Sequence, residues 1–126
     1  MFKIIAVDDS ETSLAKLKSS IDPTRFEIVA TGKDGSELID LYKKHHPHIV
    51  ILDIIMEHDG IKALEQLIEL SPRILVIMVS SLGEESKIKK AFDLGAAGYV
   101  VKPYDKEKLE IVLEAAIKQK KRRSNS

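Results

Sequence analysis

The sequence predicts an α/β domain in which a parallel β-sheet carries helices on both faces. Four apolar runs rich in β-branched residues each end at a polar residue. Continuous apolar runs of this length are typical of strands buried on both faces, as in parallel sheets. They alternate with segments of helical spacing, which is the pattern of a sheet wound with helices. In such a sheet the carboxyl ends of the strands share the edge where ligands bind.

Four strands are assigned from these runs, and residues 25–30 supply a fifth; all five are given in chain order. They are residues 4–7 before Asp8 and Asp9, 25–30, 49–52 before Asp53, 74–79 before Ser80, and 99–101 before Lys102. Because the ends of parallel strands meet at one edge, three carboxylates, a hydroxyl and an ammonium group should converge there.

Five helices are predicted between and after the strands, each from an apolar stripe that covers one helix face. The stripes are Leu14, Leu17 and Ile21 after Ser10; Leu38, Leu41 and Tyr42 after Gly35; Ile61, Leu64, Leu67 and Ile68 after Gly60; Ile88, Ala91 and Phe92; and Leu109, Val112, Leu113, Ala116 and Ile117. The chain contains no repeat and no low-complexity segment, so these elements form one domain.

Composition limits the class of protein. A chain of 126 residues with 44% hydrophobic content is long enough to close one core. The absence of cysteine excludes disulfides and thiolate metal sites. The apolar runs are too short to span a bilayer, and residues 1–7 lack the features of a signal peptide. We therefore expect a cytoplasmic protein without a membrane partner.

Charge is balanced overall but unevenly placed. The chain has 20 basic and 20 acidic residues, and a cluster of bases lies near its end at Lys118, Lys120, Lys121, Arg122 and Arg123. The rest of the chain is mildly acidic, which argues against direct nucleic-acid binding by the folded domain. We expect the domain to occupy residues 1–119, with 120–126 as a basic solvated tail or the start of a linker.

The converging side chains suggest phosphoryl chemistry. Asp8, Asp9 and Asp53 would repel one another unless they share a cation or take up a proton. Oxygen ligands without histidine or cysteine indicate Mg²⁺. An aspartate beside Mg²⁺ and Lys102 is equipped to attack phosphorus, and Ser80 could donate a hydrogen bond to a phosphoryl oxygen.

Several motifs together resemble the receiver domain of response regulators in two-component signalling. They are Val7-Asp8-Asp9-Ser10, Asp53 with Met56, Ser80-Ser81, Gly95-Ala96, and Gly98 through Lys102-Pro103. The resemblance covers about residues 2–119. It implies a flavodoxin-like (βα)5 three-layer fold, with a parallel five-stranded sheet in the order 2-1-3-4-5.

The resemblance also implies roles for the site residues. Asp53 would accept a phosphoryl group from a sensor histidine kinase or a histidine phosphotransfer protein. Asp9 would bind Mg²⁺ directly and Asp8 largely through water, while Lys102 would contact the phosphoryl group across a cis bond to Pro103. Mg²⁺-dependent self-phosphorylation from small phosphodonors and autodephosphorylation are expected, without a conventional external substrate.

The implied output is a change of surface. Ser80 is similar to the switch hydroxyl of the family, which moves toward the phosphoryl group and lets an aromatic residue, here Tyr99, turn inward. This would alter the surface of the fourth helix, fifth strand and fifth helix, and so control a downstream effector protein or domain.

One loop departs from the family pattern. Glu57 stands where the family usually has proline, and Gly60 arrives one residue early, so the loop from Met56 to Gly60 is shorter by one residue. In the family the backbone carbonyl at the position of Ile55 binds the metal. A loop shorter by one residue would change where that carbonyl lies relative to the metal. A degenerate receiver acting as a constitutive interaction module is therefore one alternative. Another is the excised receiver of a multidomain transcription factor or methylesterase.

Overall fold

The computed structural model describes residues 1–54 and 60–124, the last four of these as backbone only. The strands are β1 (Phe2–Val7), β2 (Phe26–Gly32), β3 (Ile49–Asp53), β4 (Leu75–Ser80) and β5 (Gly98–Val101). The helices are α1 (Glu11–Ser20), α2 (Leu38–His45) after a 3-10 turn at Gly35–Glu37, α3 (Gly60–Leu70), α4 (Glu85–Leu94) and α5 (Lys106–Ser124). Ile55 and the loop residues Met56 to Asp59 lie outside the described residues.

All strand pairs are parallel, and the sheet order is β2-β1-β3-β4-β5. Both the predicted fold class and the strand order are thus confirmed. Val7 pairs with Leu52, and Asp53 pairs with Val79. This register brings the carboxyl ends of β1, β3 and β4 to nearly the same height, which places their polar residues side by side.

Burial follows the position of each strand in the sheet. Every residue of β3 and β4 is buried, as expected for central strands covered on both faces. Strand β5 lies at the edge, where only Val100 is fully buried. The sequence pattern alone therefore overstated the burial of β5, because an apolar run does not show which strand lies at an edge.

Two hydrophobic cores lie on opposite faces of the sheet, because successive strand residues point to opposite sides. Ile4 and Ala6 of β1 face the core that contains α1 and α5. Ile5 and Val7 face the core that contains α2, α3 and α4. Full burial of one large apolar side chain contributes about 1.5–3 kcal/mol, so these two cores supply most of the stabilisation.

The helices of the second core are anchored unequally. Helix α3 buries five of its residues, namely Gly60, Ile61, Ala63, Leu64 and Leu67. Helix α4 is almost as long, and Ala91 is its one fully buried residue. Much less apolar surface therefore holds α4 to the sheet than holds α3.

Helix α5 continues through Ser124, so residues 120–124, expected to begin a basic solvated tail or a linker, are helical. Lysine, arginine and glutamine are good helix formers, and no glycine or proline interrupts this stretch. Within the described ranges, no helix combines the length and the hydropathy needed to cross a bilayer.

Candidate functional site

Three carboxylates meet at the carboxyl edge of the sheet. Asp8 follows β1 and Asp53 ends β3, and one carboxylate oxygen from each lies within 4.8 Å of the others and of one from Asp9. Asp8 and Asp53 are buried, with 7% and 8% of their surface exposed, whereas Asp9 is exposed. The structure therefore brings together the three acidic residues that the sequence predicted at this edge.

Asp8 is held by the main chain on both sides. Its N–H donates to the Gly32 carbonyl of β2 at 3.0 Å, and its Oδ1 accepts from Ser10 N at 2.9 Å. Ser10 is also the N-cap of α1, since its Oγ accepts from Ser13 N at 3.2 Å. Asp8 is thus oriented before any ligand is considered, which lowers the cost of binding one.

Lys102 supplies the positive charge of the site. Its Nζ lies 3.2 Å from Asp8 Oδ2 and 3.7 Å from Asp53 Oδ2, and it donates to Ser13 Oγ at 3.1 Å. The Lys102-Pro103 peptide is cis, as the family resemblance implied. One ammonium group therefore offsets part of the charge of two buried carboxylates.

Ser13 was missed by the sequence analysis. It occupies the third position of α1 after the Ser10 cap, and its side chain is half-buried against Lys102. The available signal was its place in the first turn of a helix that begins at the ligand-binding edge of the sheet.

Ser80 lies at the same edge of the sheet, and its side chain makes no hydrogen bond with the described residues. It ends β4 with 1% of its surface exposed, and its carbonyl accepts from Lys102 N at 2.7 Å. In the described part of the chain its Oγ has no hydrogen-bond partner. A buried hydroxyl without a partner is costly, so this oxygen is available to a ligand that reaches it.

Tyr99 lies away from the carboxylates, on the outer side of β5. It is 42% exposed and meets the ring of Phe92 edge to face, with centroids 5.8 Å apart. In this structure Tyr99, the residue predicted to act as the aromatic switch, therefore points outward.

Gly60 is a second position that the sequence analysis did not assign to the site. It begins α3 against the end of β3, where a Cβ atom would lie far inside contact distance of the Asp53 carbonyl oxygen and 3.0 Å from that of Ile54. Only glycine allows the helix to start this close to the main chain at the end of β3.

The donor set has the character of a hard-cation site. The three clustered ligands are carboxylates, with no nitrogen or sulfur ligand among them. Mg²⁺ prefers such oxygens and usually keeps several waters, so a site with few protein ligands suits it. The unpartnered Ser80 hydroxyl adds a donor for an oxyanion bound beside the cation.

Tyr104 provides a pH-dependent test of packing beneath the site. Burial, and secondarily the negative charge of Asp8, raises the pKa of its phenol to about 12 from an ordinary value of 10.0. The folded state holds this proton more tightly than the unfolded state, so the resulting stability is complete below pH 10 and is lost as pH rises toward 12. We expect Tyr104→Phe to weaken the fall in unfolding free energy over this range, as measured by urea unfolding. The exposed Tyr99→Phe serves as control, and equal pH slopes for the two variants would contradict the assignment.

Comparison with known proteins gives one consistent result. A family model described as response regulator receiver domain matches residues 4–114. The chemotaxis protein CheY of Halobacterium salinarum is 37% identical over 105 residues, which are 82% of this chain and 87% of that protein. Among solved structures, a chain of the CheX-CheY-BeF3-Mg complex from Borrelia burgdorferi is 35% identical, with a TM-score of 0.84 and coverage of 92% and 89%.

A longer protein shares the fold. NtrX from Brucella abortus superposes with a TM-score of 0.89 at 23% identity, over 98% of this chain. The match spans 28% of that NtrX chain. At this level of identity, the likeness concerns the fold alone.

Proposed function

This chain belongs to the response-regulator receiver domain family, and from that premise we propose that it is a signalling switch controlled by phosphorylation of Asp53. The observation that carries the proposal is the cluster of Asp8, Asp9 and Asp53 with Lys102 bridging two of its members. Phosphoryl transfer depends on positioning and charge neutralisation, and this cluster provides both.

The proposed donor is a phosphohistidine of a sensor kinase or phosphotransfer protein. An Asp53 carboxylate oxygen forms a bond to phosphorus as the bond from phosphorus to the donor nitrogen breaks, and the imidazole leaves with that electron pair. Asp8, Asp9 and Asp53 would hold Mg²⁺, which when bound neutralises charge on the phosphoryl oxygens. The Lys102 ammonium group attracts the same oxygens from the side of Asp8.

The proposed response begins at Ser80. Its buried hydroxyl lacks a partner within the described residues and gains one when it donates to a phosphoryl oxygen on Asp53. Movement of Ser80 would leave space for Tyr99 to turn inward and break its edge contact with Phe92. We propose that the resulting surface of α4, β5 and α5 binds a cytoplasmic effector. The CheX-CheY complex from Borrelia burgdorferi is a relative's example of a receiver-fold chain with a protein partner, BeF3 and Mg.

Intact mass after incubation with acetyl phosphate tests this function. We expect a covalent phosphate on the native chain only when Mg²⁺ is present, and none on Asp53→Ala. Asp40→Ala, which removes an exposed carboxylate from α2, is the matched control and should react like the native chain. A folded native chain that gains no phosphate would overturn the proposal and favour a constitutive interaction module.

A further inference from the structure

The turn between β4 and α4 is closed by a carboxylate. Ser81 N–H donates to Glu84 Oε1 at 2.5 Å, which is short and charge-assisted. Gly83 adopts φ +92°, a left-handed conformation that lets the turn double back on itself. Glu84 also starts the helix, since its carbonyl accepts from Lys87 N and Ile88 N, both at 3.1 Å. One residue therefore ties the beginning of α4 to the residue that follows Ser80.

Two buried oxygens near this turn have no hydrogen-bond partner among the described residues. Among the described residues, the buried side-chain oxygens without a hydrogen-bond partner are Ser80 Oγ and Glu84 Oε2. They belong to the residue before Ser81 and to the residue that closes the turn. A carboxylate oxygen shielded from water without a partner is unfavourable, so the net strength of the tie is smaller than its short distance suggests.

We propose that Glu84 is a positioning residue that opposes occupation of the Asp53 site, an inference that rests on the proposed function. By fixing Ser81, it restrains the backbone that Ser80 must shift in order to bring its hydroxyl to a phosphoryl oxygen. Glu84 is also negatively charged at the edge of the sheet where a phosphoryl group would add more negative charge. Both effects stabilise the protein with an empty Asp53 site more than the protein with a phosphoryl group there. Such a difference in stabilisation is what shifts the equilibrium between the two states.

The test uses beryllofluoride with Mg²⁺ as the phosphoryl probe, with affinity measured by calorimetry on the full chain. We expect Glu84→Ala to bind roughly 5- to 10-fold more tightly than the native chain, as loss of one modest charge-assisted hydrogen bond in the free state would give. Glu84→Gln keeps an acceptor for Ser81 N–H, so its affinity for the probe should lie between those of the native chain and Glu84→Ala. Glu85→Ala removes the neighbouring exposed carboxylate and should leave the affinity unchanged.

Amide exchange gives a readout that needs no ligand. Without Mg²⁺ or beryllofluoride, the Ser81 amide should exchange faster in Glu84→Ala than in the native chain or Glu85→Ala, with Glu84→Gln partly restoring protection. Native-like or weaker beryllofluoride affinity in Glu84→Ala would overturn the inference while leaving the proposed function intact. Failure of every chain, the native one included, to bind the probe would overturn the proposed function and this inference with it.

Discussion

Gly60→Ala is expected to lower the unfolding free energy by roughly 3 kcal/mol and to weaken any ligand binding at Asp53. The added methyl group would meet the carbonyl oxygens of Asp53 and Ile54, which are backbone atoms of the central strand and its continuation. Neither can swing aside as a flexible side chain would. Relief therefore requires α3 to shift away from β3, which also costs the burial of Leu64 and Leu67.

Urea unfolding measures the stability change, and Gly83→Ala is the control. Gly83 has φ +92°, and among the described residues, its chain neighbours aside, no atom lies within 4 Å of a Cβ placed there. Its substitution should cost only the conformational penalty of about 1–2 kcal/mol. If Gly60→Ala were as stable as Gly83→Ala or more so, the close approach of α3 to Asp53 would not be the constraint that we describe.

Lys102→Met is expected to produce the second large effect. It should lower the unfolding free energy of the metal-free protein by roughly 2–3 kcal/mol. The substitution removes the ammonium group that lies beside Asp8 and Asp53, whose side chains are only about 10% exposed. The carboxylates then repel one another in a poorly solvated site. Because a divalent cation relieves that repulsion, Mg²⁺ should raise the melting temperature of Lys102→Met more than that of the native chain.

Thermal unfolding with and without Mg²⁺ checks this expectation. Lys106→Met is the matched control, because the Lys106 side chain is 56% exposed and its ammonium group lies 4.0 Å from Glu110 in a surface pair. Such pairs contribute about 0–1 kcal/mol, so this variant should differ little from the native chain. Equal losses in the two variants, or no larger effect of Mg²⁺ on Lys102→Met, would show that Lys102 does not compensate the acidic cluster.

The sequence predicted the sheet and the convergence of the carboxylates for a physical reason. Parallel strands need apolar side chains on both faces, so their limits are visible in the hydropathy pattern, and their carboxyl ends share an edge. Asp8, Asp53 and Lys102 directly follow or end such runs. Their meeting is therefore a consequence of topology, which local pattern and length are enough to predict.

Contacts made between elements were not predictable in the same way. Lys102 and Ser13 are 89 residues apart in the chain, and their hydrogen bond depends on how α1 is placed over the sheet. The return of Glu84 onto Ser81 depends on the left-handed conformation of Gly83, and the exposure of Tyr99 depends on β5 being an edge strand. The first and the last are set by packing between elements and the second by the geometry of a local turn, and a single sequence carries only a weak signal for any of them.

The weak anchoring of α4 has a consequence for how the domain can move. Opening this helix away from the sheet exposes Ala91 and the half-buried side chains of Ile88 and Leu94, while α3 keeps its larger set of fully buried residues in place. Local unfolding of α4 therefore costs a fraction of the free energy of global unfolding. We expect the domain to sample altered arrangements of this helix while the rest of the sheet stays folded, and a ligand at the neighbouring strand end would change their populations by as much as it prefers one of them.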